Sequence, residues 1–344
     1  MTDAKFDVLG IGNAIVDVIA KTEDDFLVRE KLVKGSMRLI ETDEAERLYG
    51  LMGQTIQTSG GCAGNTAAGV ASLGGRAAFI GKVADDELGR VYRHDMRALG
   101  IHFATPPLVG GDPTARSMIL ITPDGERTMN TYLGASEQLS PPDIDETTVA
   151  AARITYLEGY LWDRPLAKDA FRKAAAVAHR AGRQVALTLS DSFCVDRFRE
   201  EFLSLIRDGS VDILFANAAE MHSLYQTADF DMALALVRRD AKLAAVTVGG
   251  DGAFVASRDA IEMVPSRPVD TLVDTTGAGD LFAAGFLYAL ARDLPHATCA
   301  AFGHLAAAEV ISHIGPRPAT SLRELAEQAG LAAEGRQSAI GNRQ

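Results

Sequence analysis

The sequence predicts an α/β fold: a mostly parallel central sheet flanked by helices, carrying a small β lid. Three observations predict it. After Ala151, short apolar runs alternate regularly with helical stretches, the pattern of a parallel sheet covered on both faces. Residues 114–133 break that pattern, with two β-rich runs flanking the turn tripeptide PDG. Glycine- or amide-bearing segments follow several of the strand-like runs, and loops after strands converge on one edge of such a sheet.

Taken in order, FDVLGIG reads as a first buried strand closed by glycines, and residues 14–50 mix short alternating stretches with charged ones. SGGCAGNTAAGVASLGG is a glycine-rich loop feeding a small-residue helix, AAFIGKV a strand, and DELGRVYRHDMRALG a helix stopped by Gly100. ITYLEGYL, QVALTLS, VDILFAN and AAVTVGG read as strands. PLAKDAFRKAAAVAHRAG, VDRFREEFLSLIRD, AAEMHSLYQ and MALALVRRDA read as the helices between them. GAFVASRDAIEMVP is a small hairpin, residues 281–292 a helix, and a long Ala-rich helix runs on through Ile314. One domain is expected over 1–335, with its lid formed by about 14–50 and 112–134, and a loose tail at 336–344.

The 344 residues are 47% hydrophobic and 23% charged, ordinary globular composition. Net charge is −12 with no basic stripe, which argues against nucleic acid as a partner. The three cysteines form no CxxC, so neither a disulfide framework nor a zinc site is expected. The apolar stretches near 281–291 and 300–314 are interrupted or too short for a bilayer. MTDAKFDVLGIG lacks the pattern of a secretion leader, so a cytoplasmic protein is expected.

Two familiar phosphate motifs fail. GIGNAI has Ile15 where a dinucleotide fingerprint wants its third glycine. RAAFIGKV has Arg76 and Val83 where a Walker loop wants Gly and Ser or Thr. DTTGAGD, Asp274 to Asp280, survives: backbone N–H groups of Ala278 to Asp280 at a helix start suit a developing phosphoryl charge. On its own the stretch is equally explained by Asp280 capping the helix. Its context adds weight, because Asn13 and Asp17, then Gly60, Gly61 and Asn65, then Asn217 and Glu220, and TVGGDG all follow strand-like runs.

With these residues in view the chain resembles the PfkB, or ribokinase, family of carbohydrate and nucleoside kinases, over nearly its whole length. SGGCAGNTAAGVASLGGRAAFIGKVADDELG looks like the family's N-terminal signature and DTTGAGDLFAAGF like its C-terminal one. TPDGERTMNTYLGAS, YLEGYLWD and AFGHLAAAEVISHIGPRP look more like adenosine kinases than ribokinases. The resemblance implies a ribokinase-like fold, with ATP and Mg²⁺ as cofactors, and leaves open K⁺ and the choice of monomer or homodimer. It implies Asp280 as the catalytic base, with Gly277, Ala278 and Gly279 as the anion hole. Asn13, Asp17, Gly60, Gly61 and Asn65 would bind sugar hydroxyls. Asn217 and Glu220 would place Mg²⁺, Glu220 through water, and Thr247, Gly249, Gly252 and Thr276 would meet ATP. His304 would border the nucleotide's base. An acid at an anion seat then makes sense: Asp280 takes the proton of the attacking hydroxyl while the turn holds the phosphoryl group beyond it.

A nucleoside base wants apolar walls, and Met37, Met129, Thr131, Leu161 and Phe193 are candidates, Met129 and Thr131 sharing one strand face. A phosphorylated acceptor would want cations, and Arg116 or Arg127 could serve. The expectation is transfer to the 5′-hydroxyl of adenosine, as in purine salvage. The alternatives are a ribokinase- or fructokinase-like sugar kinase, or a kinase of guanosine or inosine. A nucleoside-binding protein without turnover is argued against by the intact Asp280 and GAG turn.

Overall fold

A computed structural model describes residues 4–331. Two sheets organise it. The larger has nine strands in the order β14-β13-β12-β11-β10-β9-β1-β5-β6. They are β1 Phe6–Ile11, β5 Ala77–Ile80, β6 His102–Phe103, β9 Ala152–Glu158, β10 Gln184–Thr188, β11 Ile213–Asn217, β12 Leu243–Thr247, β13 Gly252–Ser257 and β14 Ile261–Pro265. Strands from β6 across to β12 run parallel, and the β13–β14 hairpin closes the edge antiparallel. Chain order reverses between β1 and β9, which makes a switch point at their C-terminal ends.

The smaller sheet has the order β3-β8-β7-β2-β4. Its strands are β2 Ile15–Lys21, β3 Met37–Leu39, β4 Ile56–Ser59, β7 Ala115–Ile121 and β8 Arg127–Tyr132. The expected hairpin is there, β7 pairing antiparallel with β8. Strand β4 was not anticipated. Helices α1 (Asp24–Arg29) and α2 (Thr42–Leu51) belong to this sheet. Leu27, Ala45 and Leu48 pack on its Met118, Leu120 and Tyr132 face. The other face, with Ser117, Ile119, Met129 and Thr131, looks onto a cavity at the edge of the large sheet.

The large sheet is covered on both sides, and alternate residues of each strand serve the two cores. Ile213 and Phe215 point into one and Leu214 and Ala216 into the other. The first is built with α3 (Cys62–Ser72), α4 (Glu87–Ala98), α10 (Ala278–Leu290), α11 (His296–Val310) and α12 (Leu322–Gln328). The second uses α5 (Glu146–Ala150), α6 (Pro165–Arg180), α7 (Ser192–Arg207), α8 (Ala218–Tyr225) and α9 (Phe230–Asp240). A Cβ on Gly285 would lie 2.2 Å from the Phe302 carbonyl oxygen, and one on Gly69 2.6 Å from Ala284 Cβ. Those small residues let α11 and α3 press against α10, whose residues from Leu281 to Ala289 are all buried. The expected loose tail lies outside the described residues.

Candidate active site

A cavity of about 790 Å³ lies where the C-terminal strand ends of the large sheet meet the open face of the small one. Of the residues singled out from sequence, it gathers Asn13, Asp17, Met37, Gly61, Asn65, Met129, Thr131, Phe193, Asn217, Glu220, Thr247, Thr276, Gly277, Ala278, Gly279 and Asp280. They come from segments spread over the whole chain, and the topology alone brings them together.

The DTTGAGD turn forms the floor. Helix α10 starts at Ala278, three residues earlier than expected, and its N-cap is Gly277 rather than Asp280. Gly277 has φ +78, and a Cβ there would lie 2.8 Å from the Pro316 carbonyl oxygen, so both conformation and space select glycine. The Ala278 N–H donates to the Thr275 carbonyl at 3.2 Å. The N–H groups of Gly279 and Asp280 are then the free donors of the helix start. Asp280 Oδ2 accepts from Asn65 Nδ2 at 2.9 Å. Burial pushes the Asp280 carboxyl up to about 6, against the lowering effect of hydrogen bonds from Asn65 and Cys62.

The other bracketing acid has a different task. Asp274 Oδ1 accepts the Thr276 N–H at 3.0 Å, and Oδ2 accepts the Gly315 N–H at 2.9 Å. Asp274 also pairs with the Arg127 guanidinium. Arg127 is therefore held at the turn, and Arg116 lies 3.8 Å from Glu46. Neither lines the cavity, so neither stands where a phosphorylated acceptor in it would need a cation.

The switch point forms the closed end. Gly61, at φ +82, lets the α3 loop pass so near β1 that a Cβ would sit 2.1 Å from the Asn13 carbonyl oxygen. Glu158, from the end of β9, accepts from Asn13 Nδ2 (3.0 Å), Asn13 N (3.3 Å) and Ala63 N (3.2 Å). Sequence reasoning missed Glu158. Its only signal was an acid at a strand end inside an apolar run. Asp17 faces the cavity from β2, with Gly60 so close that a Cβ there would meet the Asp17 carboxylate at 2.3 Å. Burial pushes Asp17 and Glu158 up to about 7.

On the far side Asn217 caps α8, and Glu220 closes the reciprocal box. Glu220 N donates to Asn217 Oδ1 at 2.9 Å, and Asn217 Nδ2 donates to Glu220 Oε1 at 2.7 Å. Burial pushes Glu220 up to about 7, and Asp191, also lining the cavity, adds to the rise. Tyr160 OH donates to that Asp191 at 2.7 Å. Among the described residues no cluster of three or more His, Cys, Asp or Glu could enclose a metal. Glu220 and Asp191 both line the cavity, and carboxylates so placed could hold through water an ion that keeps most of its ligands as water and phosphate.

Gly60, Leu161, Gly249, Gly252 and His304, also singled out from sequence, lie outside the cavity lining. Leu161 is buried in the second core, because β9 runs into the 3-10 turn Gly159–Asp163, which tucks Leu161 under the sheet and leaves Tyr160 and Asp163 on the cavity. Gly249 and Gly252 lie outside the lining; Gly252 sits tight in the β13–β14 hairpin, where a Cβ would meet the Val264 carbonyl oxygen at 2.2 Å. His304 also stays outside. Its Nε2 is 3.1 Å from the Val264 oxygen and its ring packs 5.1 Å from Phe282, which does line the cavity.

The chain is similar to known proteins in both sequence and fold. The pattern of the pfkB family carbohydrate kinases matches residues 8–322. The fold superposes on the adenosine kinase of Sinorhizobium meliloti with a TM-score of 0.91 at 57% identity, covering 95% of this chain and all (100%) of that one. A probable sugar kinase protein of Rhizobium etli CFN 42 gives 0.92 at 53% identity over 96% and 100% of the two chains. The ATP-dependent ribose-1-phosphate kinase of Halopiger xanaduensis is 32% identical over 239 residues, 67% of this chain and 73% of the relative. No helix among the described residues is long and apolar enough to cross a membrane.

Proposed function

The chain belongs to the pfkB family of carbohydrate kinases and is a phosphotransferase with an alcohol acceptor; from that premise we propose that it moves the γ-phosphoryl group of ATP to the 5′-hydroxyl of adenosine. Asp280 takes the hydroxyl proton. The α10 N-terminus, through the Gly279 and Asp280 N–H groups, receives the charge that develops on the phosphoryl oxygens. Asn13 and Asp17 engage the ribose hydroxyls, and Asn65 holds the base carboxylate. Glu220 and Asp191 would hold through water the Mg²⁺ that comes with the nucleotide, which would supply charge neutralisation at the phosphates. The small sheet acts as a lid that excludes water, which would otherwise accept the phosphoryl group.

The observation that carries adenosine over a free sugar is the apolar wall. Met37, Leu39, Ile119, Met129 and Leu133 line the cavity from the lid side, and Phe193 stands opposite with 77% of its surface exposed. A purine would cover these side chains, whereas a lone sugar would leave them wet. Against a phosphorylated sugar, Arg127 is committed to Asp274, and the cavity-lining Arg197 to Asp163 at 3.1 Å.

ADP release with Mg-ATP against adenosine, guanosine, inosine, ribose, fructose and ribose 1-phosphate tests the reading, with Asp280→Asn alongside. Adenosine-selective turnover that Asp280→Asn lowers by about 10²–10⁴-fold is expected. Turnover of a sugar alone would keep the kinase and discard the base-binding wall.

A further inference from the structure

We propose that Arg317 is a positioning residue for phosphoryl transfer: from behind the cavity its guanidinium fixes the Asn65 amide in the orientation that donates to Asp280. The inference rests on the reading of Asp280 as the general base.

Arg317 does not line the cavity, so it is not a ligand of the acceptor. It reaches the site through side chains. Its Nε donates to Asn65 Oδ1 at 3.5 Å, and Asn65 Nδ2 donates to Asp280 Oδ2 at 2.9 Å. The two ends of an amide are nearly the same shape, so its neighbours decide which way it faces. A guanidinium has only donors and must meet the oxygen. The NH₂ end then faces the carboxylate. A flipped Asn65 would set its oxygen against Asp280 and remove the hydrogen bond that favours the ionised base.

The guanidinium is itself held. Its Cζ lies 5.9 Å from the Tyr92 ring centroid, and Nη2 lies 3.5 Å from Met96 Sδ, both on α4. Its backbone segment is pinned on each side. Gly315 N–H donates to Asp274, and Pro316 lies against Gly277. Glu309 Oε1 accepts from Ala319 N at 2.9 Å, Thr320 N at 2.9 Å and Thr320 Oγ1 at 3.0 Å. One short segment thus braces both the anion turn and the base.

Charge works in the same direction. Asp17 on β2, Asp280 on α10 and the Cys62 thiol of α3 line the cavity, and Glu158 on β9 lies behind it, close enough to act on Cys62. Arg317 feels Asp17, and Asp95 and Tyr92 of α4, and its charge opposes the burial that pushes Asp17 up. Arg127 on β8 also acts on Asp17, but its own carboxylate partner is Asp274.

The test is a double-mutant cycle of Arg317→Met and Asn65→Ala, reading kcat, both KM values and the acid limb of kcat/KM with Mg-ATP and an acceptor that the chain turns over. Unfolding midpoints of each variant separate activity from folded fraction. Arg317→Met should lower kcat about 10–100-fold, leave KM for ATP unchanged, and move the acid limb up by about one pH unit. In the Asn65→Ala background it should add little, and Arg317→Lys should restore part of the shift. An unmoved limb, or full additivity with Asn65→Ala, overturns the inference. If Arg317→Met does not fold, Arg317→Gln takes its place with the same expected and overturning results. An active Asp280→Asn would sink the underlying reading, while an inactive one beside an unmoved limb sinks only the role of Arg317.

Discussion

Arg127 and Asp274 form a buried ion pair between the β7–β8 hairpin and the DTTGAGD turn. Their side chains keep 8% and 2% of their exposure. Arg127 starts β8 of the small sheet, and Asp274 opens the anion turn of the large one. Asp274 also gathers the N–H groups of Thr276 and Gly315, so one carboxylate ties the lid hairpin, the turn and the segment after α11. Burial lowers the Arg127 guanidinium to about 10, and Asp17 partly opposes that. Arg127 Nε and Nη1 find no hydrogen-bond partner among the described residues.

Removing one partner of this pair strands a buried charge on the other. Arg127→Met should therefore destabilise the fold by about 3–5 kcal/mol in urea denaturation. Arg127→Met combined with Asp274→Asn removes both charges but keeps an oxygen acceptor for only one of the two N–H groups, because Thr276 and Gly315 bond different carboxylate oxygens. It should recover part of that loss. A single-variant loss below about 1 kcal/mol, the range of a surface ion pair, would show that the pair is open to water.

Activity and stability should move oppositely with pH. Asp280 is raised to about 6, and Asp17, Glu158 and Glu220 to about 7. In the unfolded chain such groups lose their protons near about 4. Between about 4 and 7 the native state thus binds more protons, so the stability from these groups is full at the acid end and is lost as pH rises through 6 to 7. The base must be ionised to work, so kcat/KM should fall as pH drops through the same window. Melting temperatures and rates between about pH 5.5 and 7.5, above the range where acids lowered in the fold such as Asp7, Asp86 and Asp212 titrate, check both signs; a free protein that melts lower at the acid end of that range than at its top contradicts the burial of these four acids.

The layers were legible because buried parallel strands read as short apolar runs and their helices as periodic ones. The anion turn was legible because its glycines stand together at the start of an apolar helix, where Gly277 is forced by its φ of +78 and by Pro316. Strand β4 was not: Ile56 and Gln57 are exposed and Thr58 half-buried, they carry no alternation, and pairing with β2 alone makes them a strand. Glu158 and Arg317 were hidden for another reason. Each acts on a residue far away in sequence, Asn13 and Asn65, and nothing local to YLEGYL or GPRP marks that contact. Leu161 misled because an apolar residue after a strand can face either the cavity or the core, and only the 3-10 turn decides.

Gly277→Ala should separate catalysis from folding. A methyl group there would need the left-handed φ of +78 and would meet Pro316 at about the 2.8 Å carbonyl contact. The backbone strain is on the order of 1–3 kcal/mol, small for a fold of this size. The turn must shift to relieve it, and the donors at the α10 start move with it. A kcat loss of about 10²-fold with a modest drop in melting temperature is expected. Equal kcat in wild type and variant would mean that the turn does not carry the transferring charge.

The last prediction separates nucleoside from sugar. Phe193 and Met37 are large apolar side chains with 77% and 40% of their surface exposed, both on the cavity. Covering a side chain of that size with a purine contributes about 1.5–3 kcal/mol. Phe193→Ala should then raise KM for adenosine about 10-fold or more, with a smaller effect on kcat, because the base is remote from the reacting atoms. Met129→Ala, on the opposite lid wall beside Thr131, should act in the same way. A sugar acceptor has no base to lose contact, so its KM should not respond to either variant. If both variants leave KM for adenosine unchanged while adenosine is turned over, the base lies elsewhere and the apolar wall has another occupant.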